Sequence, residues 1–217
     1  MPPILYAHPF SSYCQKVLIA LYENDTRFAF RMLDDANGFA ALEARWPHKK
    51  FPILVDGDAT LIESSIIIEY LMLRYPGFVQ LIPTDPHTAL RARFMDRFFD
   101  NYVMTPMQKV VGDALQPLAS RNSQSVGNAR ACLDVSYQWL NSVMHDRQWA
   151  AAADFSLADC AAAPALFYAD WVHEIDPQYS NVRAYRARLL ARPTIARVIN
   201  EARPFRKLFP LGAPDRD

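Results

Sequence analysis

The chain has 217 residues, of which 51% are hydrophobic and 21% are charged, and its formal net charge is zero. This composition is ordinary for a globular protein, and the balanced charge argues against a nucleic-acid or membrane partner. No apolar run reaches the roughly 18 residues that a membrane-spanning helix needs. The three cysteines, Cys14, Cys132 and Cys160, are too widely spaced for a zinc site or a disulfide framework. We therefore expect a metal-free protein of the reducing cytoplasm.

The first third of the chain alternates strand and helix patterns. Ile4–Ala7 is a short apolar strand, the stretch from Tyr13 to Glu23 has helical spacing, and Phe28–Leu33 is a second strand. A strand, a helix and a strand within so few residues predict a right-handed βαβ unit. A weaker helical pattern follows from Asp34 to Trp46.

The stretch from Phe51 to Ser65 has the most distinctive local pattern. Pro52 opens an apolar strand, Asp56-Gly57 predicts a tight turn into a second strand, and a helix then extends to about Tyr75. One serine of Glu63-Ser64-Ser65 can cap that helix. Free backbone donors and polar side chains at one sheet edge suit a small, charged, peptide-like ligand.

The rest of the chain is helical in pattern. We divide the chain into a first domain over residues 1–78, a Pro-rich linker over 79–87 and a helical domain over 88–217. The first of its helices carries an apolar face at four-residue spacing, and Pro106 is expected to kink or end it. That face consists of Leu90, Phe94, Phe98 and Tyr102, and the predicted helices are Ala89–Met104, Ala129–Met144, Phe155–Glu174, Asn181–Ala191 and Thr194–Ala202.

A local folding signal opens one of these helices. Ser156 and Asp159 have the spacing of a capping box, in which each side chain bonds the other residue's backbone N–H. We assign this motif a structural role.

Taken together, these motifs resemble the cytosolic glutathione transferases. A Phe-Pro strand opening, a Glu-Ser helix start about a dozen residues later and a Ser-x-x-Asp box in the helical half are found in that family. The resemblance implies an α/β thioredoxin-like N-terminal domain followed by an all-α C-terminal helical domain. It also implies glutathione as a co-substrate.

The resemblance assigns roles to residues of the Phe51–Ser64 stretch. Phe51 would pair through its backbone with the cysteinyl part of glutathione, and Pro52 would be cis. Glu63 would take the ammonium of the γ-glutamyl end, and Ser64 its carboxylate. Lys50 or Lys49 would meet the glycyl carboxylate, or both would lie in a solvated loop.

Two serines begin the first helix, where unpaired N–H groups and the helix dipole stabilise a nearby thiolate. Ser12 and Gln15 fit a capping box, which would leave Ser11 free to face a ligand; alternatively, both serines only cap the helix. By resemblance to serine-type bacterial members, similar to the theta and zeta classes, Ser11 takes the catalytic place and Ser12 belongs to the binding site. Cys14 is expected to be packed rather than reactive.

The second substrate is expected between the two domains, where pockets commonly form. Phe10 and Tyr102 are candidate wall residues, together with Met104 and Met107, although such a stripe is also typical of core. The resemblance thus implies a homodimeric transferase that joins the glutathione thiolate to a hydrophobic electrophile. The alternatives are a non-catalytic binding or assembly protein and a glutathione-dependent peroxidase or dehalogenase.

Overall fold

A computed structural model describes residues 1–216 of the chain. The first part combines four strands with three helices. In chain order these elements are β1 (Ile4–Ala7), α1 (Ser12–Glu23), β2 (Ala29–Met32), α2 (Ala36–Arg45), β3 (Ile53–Asp56), β4 (Ala59–Ile62) and α3 (Ser64–Arg74).

The second part is helical. Its elements are α4 (Pro86–Phe98), a π-helical segment (Phe99–Met104, hereafter the π segment), α5 (Thr105–Ala114), α6 (Ser123–Val143), α7 (Leu157–Val172), α8 (Ser180–Leu190) and α9 (Pro193–Ala202). The predicted fold class, a thioredoxin-like α/β half followed by an all-α half, is confirmed.

The four strands form one mixed sheet in the order β2-β1-β3-β4. β1 is parallel to β2, as expected for the βαβ unit, and antiparallel to β3. β3 and β4 form the predicted hairpin, whose two loop residues are Gly57 and Asp58. Gly57 has φ +58°, a conformation that glycine adopts without strain.

Helices cover both faces of the sheet. α1 and α3 pack on one face in the main hydrophobic core. On the other face, Leu42 of α2 packs in a smaller cluster with Tyr6, Leu33 and Ile53. In the second half, every residue of α7 is buried, and this helix packs against α1 and α4. The capping box of Ser156 and Asp159 forms at its start, as predicted.

Pro106 was expected to kink or end its helix, and it does not end it. The chain continues from α4 through the π segment into α5, and Pro106 lies in the first turn of α5. A proline has no N–H to offer to the carbonyl of Tyr102, four residues earlier. The Ser136 hydroxyl of α6 lies 2.7 Å from that carbonyl and 2.9 Å from the Cys132 carbonyl of its own helix, and it shares its one proton between them. The wider turn and the hydroxyl together accommodate the proline.

The predicted linker over residues 79–87 is partly built into the fold. Leu81 is fully buried, its carbonyl accepts a hydrogen bond from the Leu157 N–H at 2.8 Å, and α4 begins at Pro86. The domain boundaries stay a prediction. Over residues 1–216, none of the helices combines the length and the apolar character needed to cross a bilayer.

Candidate functional site

A cavity of about 420 Å³ lies between the edge of the sheet and the helical half; we call it the Ser11 cavity. The residues that line it come from the start of α1, the loop before β3, the start of α3 and the face of α4 to α5. Among the predicted site residues, it brings together Ser11, Lys50, Phe51, Pro52, Glu63 and Ser64.

Ser11 is the N-cap of α1, which begins at Ser12. Its Oγ accepts a long hydrogen bond, 3.5 Å, from the Cys14 N–H. A hydroxyl has one donor and two acceptor sites, so Ser11, which also hydrogen-bonds the Cys14 side chain, keeps bonding capacity for a ligand in the cavity. The free N–H groups of the first turn add partial positive charge at the same place.

The predicted Ser12–Gln15 capping box is wrong. The Gln15 side chain donates to the Pro9 carbonyl and to the Tyr168 hydroxyl of α7, both at 2.9 Å, so a tertiary contact replaces the local one. Ser12 is only 8% exposed and does not line the Ser11 cavity. The geometry therefore favours Ser11 over Ser12 as the ligand-facing hydroxyl.

The Phe51–Pro52 peptide bond is cis, as the resemblance implied. It lies directly before β3, and both residues line the cavity. Lys49 and Lys50 lie on the preceding loop, where Lys49 pairs with Glu43 at 2.9 Å.

Glu63 and Ser64 occupy the start of α3. Glu63 is the N-cap with φ 69° and ψ 119°, and its side chain makes no capping bond, so the expected serine cap of this helix is wrong. A non-glycine residue at this φ is strained, and such strain is concentrated at functional sites. Ser64 is the first residue of the helix and is buried beside the cavity. The N-terminus of α3 is thus placed to receive an anionic group.

A buried ion cluster supports one wall of the cavity. Lys16 of α1 is 1% exposed, and its Nζ contacts the Asp96 carboxylate, Asp100 Oδ2 at 3.0 Å and Ser65 Oγ at 2.9 Å. Arg97 Nη2 contacts Asp96 at 2.7 Å and Asp100 at 2.8 Å. Burial raises the pKa of Asp100, although the attraction of Lys16 acts in the opposite direction. The cluster holds Asp100 and Arg97, which line the cavity, against α1.

Sequence reasoning missed Lys16, Asp96 and Arg97. The available signal was Lys16, a charged residue directly before Val17 and Leu18 of the apolar stripe of α1. A lysine is rarely fully buried without partners. It also missed three polar side chains that complete the cavity: Tyr13, Asn101 and Gln108.

The other predicted wall residues lie elsewhere. Phe10 packs edge to face against Tyr168, with ring centroids 5.5 Å apart, and does not line the Ser11 cavity. Tyr102 is 59% exposed and lines a separate groove between α5 and α6. Met104 and Met107 are buried in the core.

Cys14 is fully buried, as predicted, and burial raises the pKa of its thiol to about 12. The protein's own cysteine at this helix start is therefore a neutral, packed group rather than a thiolate. Within residues 1–216, His, Cys, Asp and Glu side chains form no group of three or more that could hold a metal ion.

A thioredoxin-like sheet joined to an all-helical half, with a cis-proline loop and two helix starts around one cavity, places the protein in a two-domain class of thioredoxin-like folds. Family models agree with this assignment. The glutathione S-transferase N-terminal domain matches residues 5–78, and the C-terminal domain of the same family matches residues 117–188. Together they cover more than half of the chain, so the chain belongs to the glutathione S-transferase family.

Individual relatives are distant. A probable glutathione S-transferase from Glycine max is 26% identical over 58% of this chain and 51% of its own length, so the chain spans about half of that relative. A stringent starvation protein A homolog from Coxiella burnetii is 29% identical over 75% of this chain and 74% of its own length. A glutathione S-transferase structure from Methylobacillus flagellatus, solved with glutathione bound, has a TM-score of 0.82 at 23% identity and covers 90% of this chain and 98% of that chain.

Proposed function

We propose that this protein is a serine-type glutathione transferase that joins the glutathione thiolate to an electrophilic small molecule. The observation that carries the proposal is the position of Ser11, whose hydroxyl caps α1 and lines the same cavity as the cis-Pro52 loop and the Glu63–Ser64 helix start. A hydroxyl and a helix N-terminus that meet at one point stabilise a thiolate supplied by a ligand.

The cavity supports one orientation of glutathione. The Glu63 carboxylate suits the γ-glutamyl ammonium, and Ser64 with the α3 N-terminus suits the γ-glutamyl carboxylate. The backbone of Phe51 is placed for the cysteinyl amide, and Lys50 for the glycyl carboxylate. This orientation directs the thiol towards Ser11.

In the proposed reaction, the thiol proton passes to solvent and the Ser11 hydroxyl donates a hydrogen bond to the sulfur. A sulfur lone pair then forms the new carbon–sulfur bond, and the displaced group leaves with its bonding electrons. Most of the rate enhancement comes from holding the thiolate and the electrophile together in the correct geometry.

The test is a pH titration of bound glutathione, followed by thiolate absorbance in the ultraviolet. We expect the wild-type protein to lower the pKa of the bound thiol. Ser11→Ala should raise that pKa by about one unit, equivalent to about 1.4 kcal/mol. It should also lower kcat/KM about tenfold at a pH below the thiol pKa, because a pKa one unit higher leaves about a tenth of the reactive thiolate.

Ser142→Ala is the matched control, because Ser142 is an exposed serine on α6 far from the cavity. It should titrate like the wild-type protein. An unchanged thiol pKa in Ser11→Ala would remove Ser11 from the mechanism. Binding without any lowering of the pKa would favour a non-catalytic glutathione carrier.

Two alternative functions would use the same site. A non-catalytic binding or assembly role gains some support from the Coxiella burnetii relative, which is not named as a transferase. Peroxide reduction or dehalogenation would use the same thiolate. We also propose that the protein is a homodimer located in the cytoplasm.

A further inference from the structure

The turn that leads into α1 places the Ser11 hydroxyl. Residues 8–11 form a β-turn, in which the Ser11 N–H donates to the His8 carbonyl at 3.0 Å. Pro9 and Phe10 are the two central residues of this turn. Ser11 follows them directly and is the N-cap of α1. The direction of the Ser11 side chain therefore depends on how firmly the turn is held.

Side-chain hydrogen bonds hold this turn at three points. The Gln15 amide donates to the Pro9 carbonyl at 2.9 Å, and the Tyr168 hydroxyl donates to the Phe10 carbonyl at 3.0 Å. The Phe10 N–H donates to Nδ1 of the His8 ring at 3.1 Å. Asparagine and aspartate are common at the first position of a β-turn because their side chains accept from the N–H two residues on. His8 does the same with a ring nitrogen.

The bond between Phe10 and His8 exists in one protonation state only. Nδ1 accepts a hydrogen bond when the ring is neutral and carries its proton on Nε2. Once Nδ1 gains a proton, two N–H groups face each other and the bond is lost. Burial lowers the pKa of His8, which favours the neutral ring in the folded protein, although the charge of Asp34 acts in the opposite direction.

The surroundings of His8 separate it from the ligand. Its ring does not line the Ser11 cavity and packs edge to face on Phe205 of the C-terminal segment, with centroids 4.7 Å apart. From α1, the Cys14 thiol accepts from the His8 N–H at 3.5 Å, and burial keeps this thiol neutral. From the loop after β2, Asp34 contributes a negative charge. His8 therefore acts on the cavity through the turn.

We propose that His8 is a positioning residue for Ser11: its neutral ring holds the Phe10 N–H and, through the turn, keeps the Ser11 hydroxyl directed at the glutathione sulfur. A protonated ring releases the turn, and Ser11 then no longer stabilises the thiolate. This inference rests on the proposed transferase function and adds regulation by pH to it. Two protons, one on the thiol and one on His8, inactivate the protein as the pH falls.

The test is a pH profile of kcat/KM for 1-chloro-2,4-dinitrobenzene at saturating glutathione, from about pH 8 down to about pH 5. Under this condition the profile reports the groups that titrate in the complex with glutathione. We expect the slope of log kcat/KM against pH to approach two in the acid limb of the wild-type profile. Circular dichroism at each pH checks that the fold is intact.

Two variants of His8 isolate the acceptor. His8→Asn keeps an acceptor for the Phe10 N–H but cannot titrate, so its slope should stay at one and its kcat/KM near neutral pH within about twofold of wild type. His8→Ala has no acceptor, and its kcat/KM should lie about three- to tenfold below that of His8→Asn at any pH below the thiol pKa. Both variants lose the contact with Phe205, so the difference between them reports the acceptor alone.

His87→Asn is the matched control, because His87 is an exposed histidine in the first turn of α4. It should keep the wild-type slope.

Three results would overturn the inference and leave the transferase function intact. A wild-type slope of one, or an unchanged steep slope in His8→Asn, would remove His8 from the pH response. A thiolate that persists to lower pH in the wild-type protein than in His8→Asn would mean that the ring's positive charge stabilises the sulfur directly. Equal activity of His8→Ala and His8→Asn would make the Phe10 bond dispensable. If the wild-type protein fails to lower the pKa of bound glutathione, the proposed function and this inference both fall.

Discussion

Lys16 brings a positive charge into the contact between the two halves of the molecule. Its ammonium lies between the carboxylates of Asp96 and Asp100, and Arg97 contacts the same two carboxylates from the cavity side. Two cations and two anions balance each other, which is the condition under which charges are tolerated away from water. Removing Lys16 leaves Asp96 and Asp100 with the half-exposed Arg97 as their cationic partner in this cluster.

This balance predicts a large effect for Lys16→Met. We expect the free energy of unfolding to fall by about 3–5 kcal/mol, because two carboxylates lose their buried partner. Urea denaturation followed by circular dichroism measures the loss. Lys49→Met is the control, because Lys49 pairs with Glu43 on the surface, and such a pair is worth at most about 1 kcal/mol. Equal losses in the two variants would contradict the role of the buried cluster.

At the scale of single residues, the sequence predicted several residues that line the Ser11 cavity but not the buried ion cluster around Lys16 that supports one of its walls. Pro52, Glu63 and Ser64, which line the Ser11 cavity, could be singled out because their local pattern is distinctive. Tyr13 and Gln108 were missed because an isolated tyrosine or glutamine has no local signature, and only the tertiary fold brings residues of α1 and α5 to one cavity. Gln15 was misassigned because its partner, Tyr168, lies 153 residues away in the chain.

At the scale of elements, the π segment explains how α4 and α5 form one continuous helix across Pro106. The Thr105 N–H bonds the Asp100 carbonyl, five residues back, and the Ser136 hydroxyl takes the carbonyl of Tyr102. Wide turns of this kind are frequent at functional sites. Here the segment carries both Asp100 and Asn101, which line the Ser11 cavity.

Ser136→Ala tests this arrangement. The Tyr102 carbonyl would lose its donor beside a proline that cannot replace it, and we expect a loss of about 1–3 kcal/mol in the free energy of unfolding. Chemical denaturation gives the value. Ser142→Ala, on the exposed side of the same helix, should stay within about 0.5 kcal/mol of wild type. A loss no larger than that of the control would mean that the carbonyl finds another donor.

The order of the predicted helices and strands followed from periodicity and turn residues, and their ends differ from the predictions by a few residues at most places. Helix α5 (Thr105–Ala114) was not predicted, because Pro106 was expected to kink or end the helix before it. Helix α6 begins at Ser123, six residues before the predicted start at Ala129. The Asn122 side chain caps it there by accepting a hydrogen bond from the Ser125 N–H at 2.9 Å. The π segment had no sequence signal beyond Pro106, since a proline in a helical pattern usually ends the helix.

At the scale of the whole molecule, the apolar face of α4 is turned outward. Leu90 is 66% exposed and Phe94 51% exposed, whereas Phe98 of the same predicted face is buried. Phe94 packs edge to face on Trp139 of α6, with centroids 6.0 Å apart, so the surface is continuous across two helices. Periodicity predicts that such a face is covered, but it does not say whether the chain itself or a second copy covers it.

This face leads to a prediction about assembly. The wild-type protein should elute as a dimer of the 24.7 kDa chain, and Phe94→Glu should elute as a monomer, because a charge cannot be buried unpaired at the contact. Size-exclusion chromatography with light scattering measures both masses. Leu118→Glu is the control, because Leu118 is 82% exposed on a turn beyond α5. A dimeric Phe94→Glu would place the contact elsewhere.

The Lys16 contact also constrains how the protein folds and evolves. The donor and its acceptor Asp100 are 84 residues apart in the chain and belong to different halves. A fragment that ends after α3 would expose an unpaired ammonium within its own apolar surface. The two halves should therefore unfold in a single cooperative transition. A helical half grafted from a relative would need two carboxylates at the positions of Asp96 and Asp100 before the hybrid could fold.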